Sequence, residues 1–140
     1  ADTGNFMTFF YCELRAGSPE VRWVRAGHEP ALLYDPRRDR FDELKGRGMA
    51  LGLDDDFEYE EYKRSLDPDQ IVLIGTDGIW EMRAENGDMF GKQRLKAIIR
   101  EHREDCARDL IGAITEALDH FRGDTAAEDD VTMVVIKAAA

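Results

Sequence analysis

The chain has 140 residues, 43% of them hydrophobic, which is the size of one ordinary domain and enough to bury a core. Nineteen Lys and Arg stand against 30 Asp and Glu, a net charge of −11, and a surface so acidic repels nucleic acid and anionic membranes. No apolar run approaches the roughly 20 residues of a membrane helix and no charged-then-apolar leader opens the chain, so it reads as soluble and cytoplasmic. Cys12 and Cys106 are too few for a disulfide framework and read as packed thiols in a reducing compartment.

In chain order, the opening ADTGNFMTFFYCEL carries no initiator Met and enters a strand-like run by Phe6, as a piece of a longer protein would. Residues 6–14, 21–27 and 30–35 are rich in β-branched and aromatic side chains. They are separated by the turn signals Gly17-Ser18-Pro19 and Gly27-His28-Glu29-Pro30, a pattern that predicts an antiparallel meander. Residues 57–66 predict a further strand through Phe57, Tyr59 and Tyr62, and Asp67-Pro68-Asp69 turns the chain into a buried strand over 71–75. After Gly91, Leu95, Ile98 and Ile99 fall at helical spacing. A second helix follows Asp105 as N-cap, with Leu110, Ile111, Ile114, Ala117, Leu118 and Phe121 on one face and Gly123 at its end. Residues 131–136, VTMVVI, predict a last buried strand.

Two acidic positions adjoin those buried strands. Asp77 follows the 71–75 strand directly, where an unpaired carboxylate inside a core would cost several kcal/mol. It is either an Asp-Gly turn residue or a carboxylate held at a rigid strand end for a cation. Asp129 and Asp130 precede the 131–136 strand and read either as a solvated acidic turn or as partners of Asp77. If the two strands are antiparallel neighbours, the end of one lies beside the start of the other and the carboxylates converge. Oxygen-only ligands suit Mn²⁺ or Mg²⁺ rather than zinc.

Taken together, FMTFFY, AGHEPALLY, GMALGL, IVLIGTDGIWEMRAENGDMFG and EDDVTMVVI, in this order from Phe6 to Ile136, resemble the metal-dependent PPM (type 2C-like) serine/threonine phosphatases, in the bacterial branch of stage II sporulation protein E and the stress sigma-factor regulators. The resemblance implies an α+β fold, an antiparallel β-sandwich flanked by helices, of which residues 1–140 supply the C-terminal portion. It implies that Asp77 and Asp129 are metal ligands, with Asp130 the neighbour and Gly78 letting the backbone pass close to metal-bound water. Two metal ions in such a site activate a water that attacks phosphoserine or phosphothreonine, with no covalent enzyme intermediate. Glu81 and Asn86 match the pattern as local structure, and His28 sits in the AGHEP turn near the edge of the site.

The implied substrate is a phosphorylated regulatory protein, such as an anti-sigma-factor antagonist. The family's upstream Gly-Asp-Tyr-like and Gly-His-Gly-like segments are absent from these residues, so the expectation is a partial site: weak metal binding, little turnover by the chain alone, and a sheet edge open to self-association. The alternative is a non-catalytic domain that keeps the fold to bind a regulatory protein. Other constellations fall away. Residues 54–65 carry the acidity of a calcium loop, but Tyr59 stands where its Gly belongs and Ser65 where its bidentate Glu belongs. His102 and Cys106 are two ligands at most, set on different helices.

Overall fold

A computed structural model of the chain describes residues 5–125 and 130–139. Among them the chain forms, in order, β1 (Phe9–Leu14), β2 (Glu20–Ala26), β3 (Ala31–Asp35), β4 (Arg40–Leu44), β5 (Tyr62–Ser65), β6 (Ile71–Gly75), α1 (Gly91–Glu101), α2 (Ala107–Arg122) and β7 (Met133–Lys137). The strands build two antiparallel sheets, one ordered β1-β2-β5 and one ordered β4-β3-β6-β7.

The apolar runs of β3 and β6 are explained by burial on both faces. On one face, Leu32, Tyr34, Ile71 and Leu73 meet Leu95 and Ile99 of α1 and Leu110, Ile114 and Leu118 of α2. On the other, Ala31, Leu33, Val72 and Leu44 meet Val21 and Trp23 of the smaller sheet. The layers are therefore helices, larger sheet, smaller sheet. Among the described residues no further layer of strands or helices covers the smaller sheet, and its edge strand β1 shows Phe9 and Tyr11 to solvent, with Phe6 and Met7 exposed just ahead of it.

Antiparallel pairing, the buried strand over 71–75 and the two helices agree with the α+β expectation; several details depart from it, among them the strand expected to be buried over 131–136, which is the edge strand β7 with Val134 49% exposed. The meander breaks after β2, because β3 leaves for the other sheet and pairs with β4 and β6. β4, RFDEL, has three charged residues in five and carries no strand signal of its own; its pairing with β3 makes it a strand. Of residues 57–66 only Tyr62–Ser65 pair, and β1 starts at Phe9 rather than Phe6, Met7 joining Leu51 in an isolated bridge instead. Asp105 is not the N-cap of α2. Cys106 takes that position, and the Asp105 carboxylate instead lies 2.7 Å from His102 Nδ1. Cys106 is exposed, not packed, while Cys12 is half-buried, and burial pushes its thiol up. No described helix is long and apolar enough to cross a membrane.

The β3–β4 turn shows how a buried acid is kept. Asp35 accepts the Arg37 backbone N–H at 3.0 Å on one oxygen and Arg38 Nη1 at 2.9 Å on the other. Burial pushes its carboxyl up, but the Arg38 side chain and the Arg37 and Arg38 backbone N–H groups outweigh it and hold the group below the usual carboxylate range. A lowered folded pKa contributes stability that is whole above the unfolded value of about 4 and is lost as pH falls through the folded value. Thermal melts between pH 7 and pH 2 should therefore show a shallower acid loss for Asp35→Asn than for the wild type, even if the variant starts lower at pH 7. Parallel acid limbs would remove Asp35 from the account.

Candidate functional site

β6 ends at Gly75, and the chain goes straight into a tight helical turn: Ile79 N–H donates to the Thr76 carbonyl at 3.1 Å and Glu81 N–H to the Asp77 carbonyl at 2.9 Å. Ile79 and Gly78 are buried beneath this turn, which leaves Asp77 exposed at its crest. Its carboxylate makes no hydrogen bond or ion pair among the described residues. A turn-forming Asp would cap its own backbone with that side chain. Here only backbone groups close the turn, so the carboxylate is available.

β6 and β7 are antiparallel neighbours, with Ile71 opposite Lys137 and Gly75 opposite Met133. Thr76 carries the pairing past the strand ends. Its N–H donates to the Thr132 carbonyl at 3.1 Å, its Oγ1 accepts the Thr132 N–H at 3.2 Å, and the same hydroxyl donates to the Asp130 carbonyl at 3.3 Å. One threonine thus pins the approach to β7 against the exit from β6, and Asp77 and Asp130 come to the same end of the sheet. Asp129, the other expected ligand, lies outside the described residues. Among the described residues no group of three His, Cys, Asp or Glu side chains could hold a metal ion. What is present is oxygen-only chemistry, an unengaged Asp77 with Asp130 nearby on the paired segment, and that donor type fits a hard divalent cation.

The AGHEP turn reaches the same end. Continuing the β3–β6 register beyond Leu32 opposite Leu73 brings Glu29 level with Thr76. Gly27 has φ of +69°, and a Cβ there would meet Ala50 N at 2.6 Å; a Cβ on Gly48 would sit 1.8 Å from the Arg25 carbonyl oxygen. The AGHEP and GMALGL segments interlock at these two glycines, which gives a physical reason for both motifs. His28 is held locally, Nδ1 lying 2.8 Å from the Glu29 carbonyl and the ring against Phe10, while Arg25 Nε donates to the His28 carbonyl. Asn86 closes its own turn by accepting the Asp88 N–H at 3.0 Å, and Glu81 is exposed.

Sequence reasoning passed over two features here. Lys92, at the start of α1, lies 3.2 Å from Glu29 and 4.8 Å from the centre of the Trp80 ring, tying the AGHEP turn, the turn after Asp77 and α1 together. The only signal was a Trp three residues after Asp77, on the same side of a helical turn. Beside Asp130, a cleft of about 250 Å³ between α2 and the start of β7 is lined by Met82, Leu118, Asp119 and Arg122. The Arg122 Nε is buried there with no hydrogen-bond partner, and its Nη2 is 3.6 Å from Asp119.

Residues 1–139 match the family model of stage II sporulation protein E (SpoIIE). The phosphoserine phosphatase RsbU of Bacillus subtilis (strain 168) is 28% identical over 136 residues, which are 97% of this chain and 40% of that protein. The fold is similar to the SiaA-PP2C domain of Pseudomonas aeruginosa, with a TM-score of 0.72 and 23% identity over 86% of this chain and 47% of that one. It is similar also to the manganese-presoaked phosphatase domain of the cell fate determinant SpoIIE from Bacillus subtilis, with a TM-score of 0.69 and 16% identity over 95% of this chain and 56% of that one. The chain thus spans about two-fifths of RsbU and about half of each solved domain. With a family match along its whole described length and the fold of those domains, the chain belongs to the stage II sporulation protein E family, in the PPM (type 2C-like) group that its motifs resemble.

Proposed function

We propose that residues 1–140 are the C-terminal portion of a PPM-type phosphatase domain that removes phosphate from phosphoserine or phosphothreonine on a regulatory protein, with Asp77, Asp129 and Asp130 contributing to an Mn²⁺ or Mg²⁺ site. The observation that carries the reading is the seam between β6 and β7, where Thr76 pins the Asp130 backbone at the same sheet end as the unengaged Asp77 carboxylate. Bound there, the cation would acidify a water and neutralise charge developing on the phosphoryl group. The chain's own residues hold Asp77 at the crest of a turn closed by backbone groups and place the Arg122 guanidinium in the adjoining cleft, where a phosphoryl oxygen would give its Nε an acceptor. RsbU, a phosphoserine phosphatase by name, supports the substrate class, and the manganese-presoaked SpoIIE domain supports the metal.

The test is hydrolysis of a phosphoserine protein by the full-length protein with Mn²⁺ against the same assay in EDTA. Metal-dependent release of phosphate supports the reading; none at any metal concentration overturns it in favour of a non-catalytic, partner-binding domain. That second reading draws on one observation, the lack of a three-ligand group among the described residues.

Self-association of the isolated chain belongs to the same proposal. β1 is an edge strand whose outer face carries Phe9 and Tyr11, 43% and 48% exposed, and such an edge is a template for pairing. In sedimentation experiments, the isolated chain should form dimers or larger species that the double variant Phe9→Lys, Tyr11→Lys abolishes. A wild-type chain that stays monomeric would count against it.

A further inference from the structure

At the end of the larger sheet away from Asp77, about 17 Å off along the five residues of β6, a pocket of about 170 Å³ opens between the strands. Its floor is buried: Leu33 at 1% exposure, Gln70 at 3% and Asp35 at 8%. Its rim is basic, with Arg38 from the β3–β4 turn, Arg40 from β4 and Arg64 from β5. In a chain of net charge −11, three guanidinium groups from three segments around one concavity need an explanation.

Counting donors and acceptors supplies it. The two carboxylates in the pocket are already occupied on every oxygen. Asp35 takes the Arg37 N–H and Arg38, and Asp42 takes the Glu43 N–H at 2.9 Å and Arg64 Nη1 at 3.1 Å. Gln70 Oε1 accepts the Asp67 N–H at 2.9 Å, which turns the two N–H donors of its side-chain amide away from that bond. Arg38 and Arg64 keep most of the five N–H groups a guanidinium carries, and the Arg40 side chain makes no hydrogen bond or ion pair among the described residues. Both carboxylates are held below their usual range and stay charged, Asp35 as described above and Asp42 through the Glu43 N–H first and Arg64 next, so the lining sums to one surplus positive charge. Every carboxylate oxygen already holds a donor, and guanidinium donors are left over.

We propose that this pocket binds a phosphate group, held by Arg40, Arg64 and the Gln70 side-chain amide. Donors arriving from three sides suit the oxygens of a tetrahedral anion better than the two of a planar carboxylate, and guanidinium forks are the strongest neutral-pH donors to phosphate. The site is separate from the proposed metal centre and stands whether or not that reading holds, because no residue is shared between them.

The experiment is calorimetry and thermal melting of the full-length protein in EDTA, titrated with inorganic phosphate and, in parallel, with a phosphoserine peptide, each against sodium chloride at equal ionic strength. Saturable binding with a phosphate-specific rise in Tm is expected, since a ligand that binds only the folded state raises Tm. Arg40→Ala should weaken it by about tenfold or more while keeping its own phosphate-free Tm within about 1 °C of wild type, as a surface change does. Asp77→Asn should bind phosphate like the wild type. Tighter binding of the peptide would identify a phosphoprotein as the source, and tighter binding of inorganic phosphate the free ion; either supports the pocket. An absent phosphate-specific effect in the wild type, undiminished binding by Arg40→Ala, or loss of binding in Asp77→Asn would overturn the proposal.

Discussion

Asp77→Asn in the full-length protein should lower Mn²⁺-dependent phosphoserine hydrolysis by about 100-fold or more and weaken Mn²⁺ binding measured by calorimetry, with Tm unchanged to within about 1 °C. The split between function and fold follows from where the residue stands. Backbone groups alone close the turn beneath it, through the Thr76 and Asp77 carbonyls, so an amide in place of the carboxylate disturbs nothing structural. Its side chain has no partner among the described residues, and removing its charge takes a ligand from a hard cation, which raises the pKa of water bound there. An Asp77→Asn protein with wild-type turnover would end the metal assignment, and one with a collapsed Tm would make Asp77 a structural residue.

Ile114→Ala is expected to do the reverse. Ile114 is fully buried on α2, in the cluster where the helices meet Leu32, Ile71 and Leu73 of the larger sheet. Truncation leaves a cavity and should cost about 2–5 kcal/mol, with the upper part of that range applying if the helix cannot move inward. For a domain of this size that is a fall in Tm of roughly 6–15 °C. Leu118→Ala, 3% exposed in the same cluster, should behave alike. Turnover of Ile114→Ala below its new Tm should remain close to wild type, because that side chain does not line the cleft beside Asp130. A loss of stability under about 1 kcal/mol would mean that the layer is looser than its burial indicates.

What could be read from the residues was whatever local chemistry fixes. β6 was legible because four apolar residues in a row have few other uses, and α2 because its apolar face keeps the helical period for four turns. Asp77 stood out as a charge placed where the buried strand β6 stops. β4 was not, since RFDEL becomes a strand only through its partner β3, and partners are not written in a strand's own residues. Nor was the break in the meander, which depends on β3 finding two neighbours in another sheet. Asp105 misled because an Asp ahead of an apolar helix is a good N-cap in isolation, but its carboxylate turned to His102. The arginine pocket was invisible for a related reason: Arg38, Arg40, Arg64 and Gln70 come from separate segments, and only the donor count of the assembled cavity reveals their surplus.

The Thr76 clamp joins residues 56 positions apart in the chain, with both helices lying between them. Pairings of such sequence separation form slowly, because the entropy of closing the loop is lost before the contacts return anything. The helices and the β3–β4 hairpin are local and should form early, whereas β7 must find β6 late. Pulse-labelled hydrogen exchange should accordingly protect the amides of α2 before the Thr132 amide. Until that last strand docks, Asp77 stands on a nearly finished fold without the Asp130 segment pinned beside β6, and a molecule cut short by ten residues at its C-terminus would lose β7 and the Thr76–Thr132 clamp together.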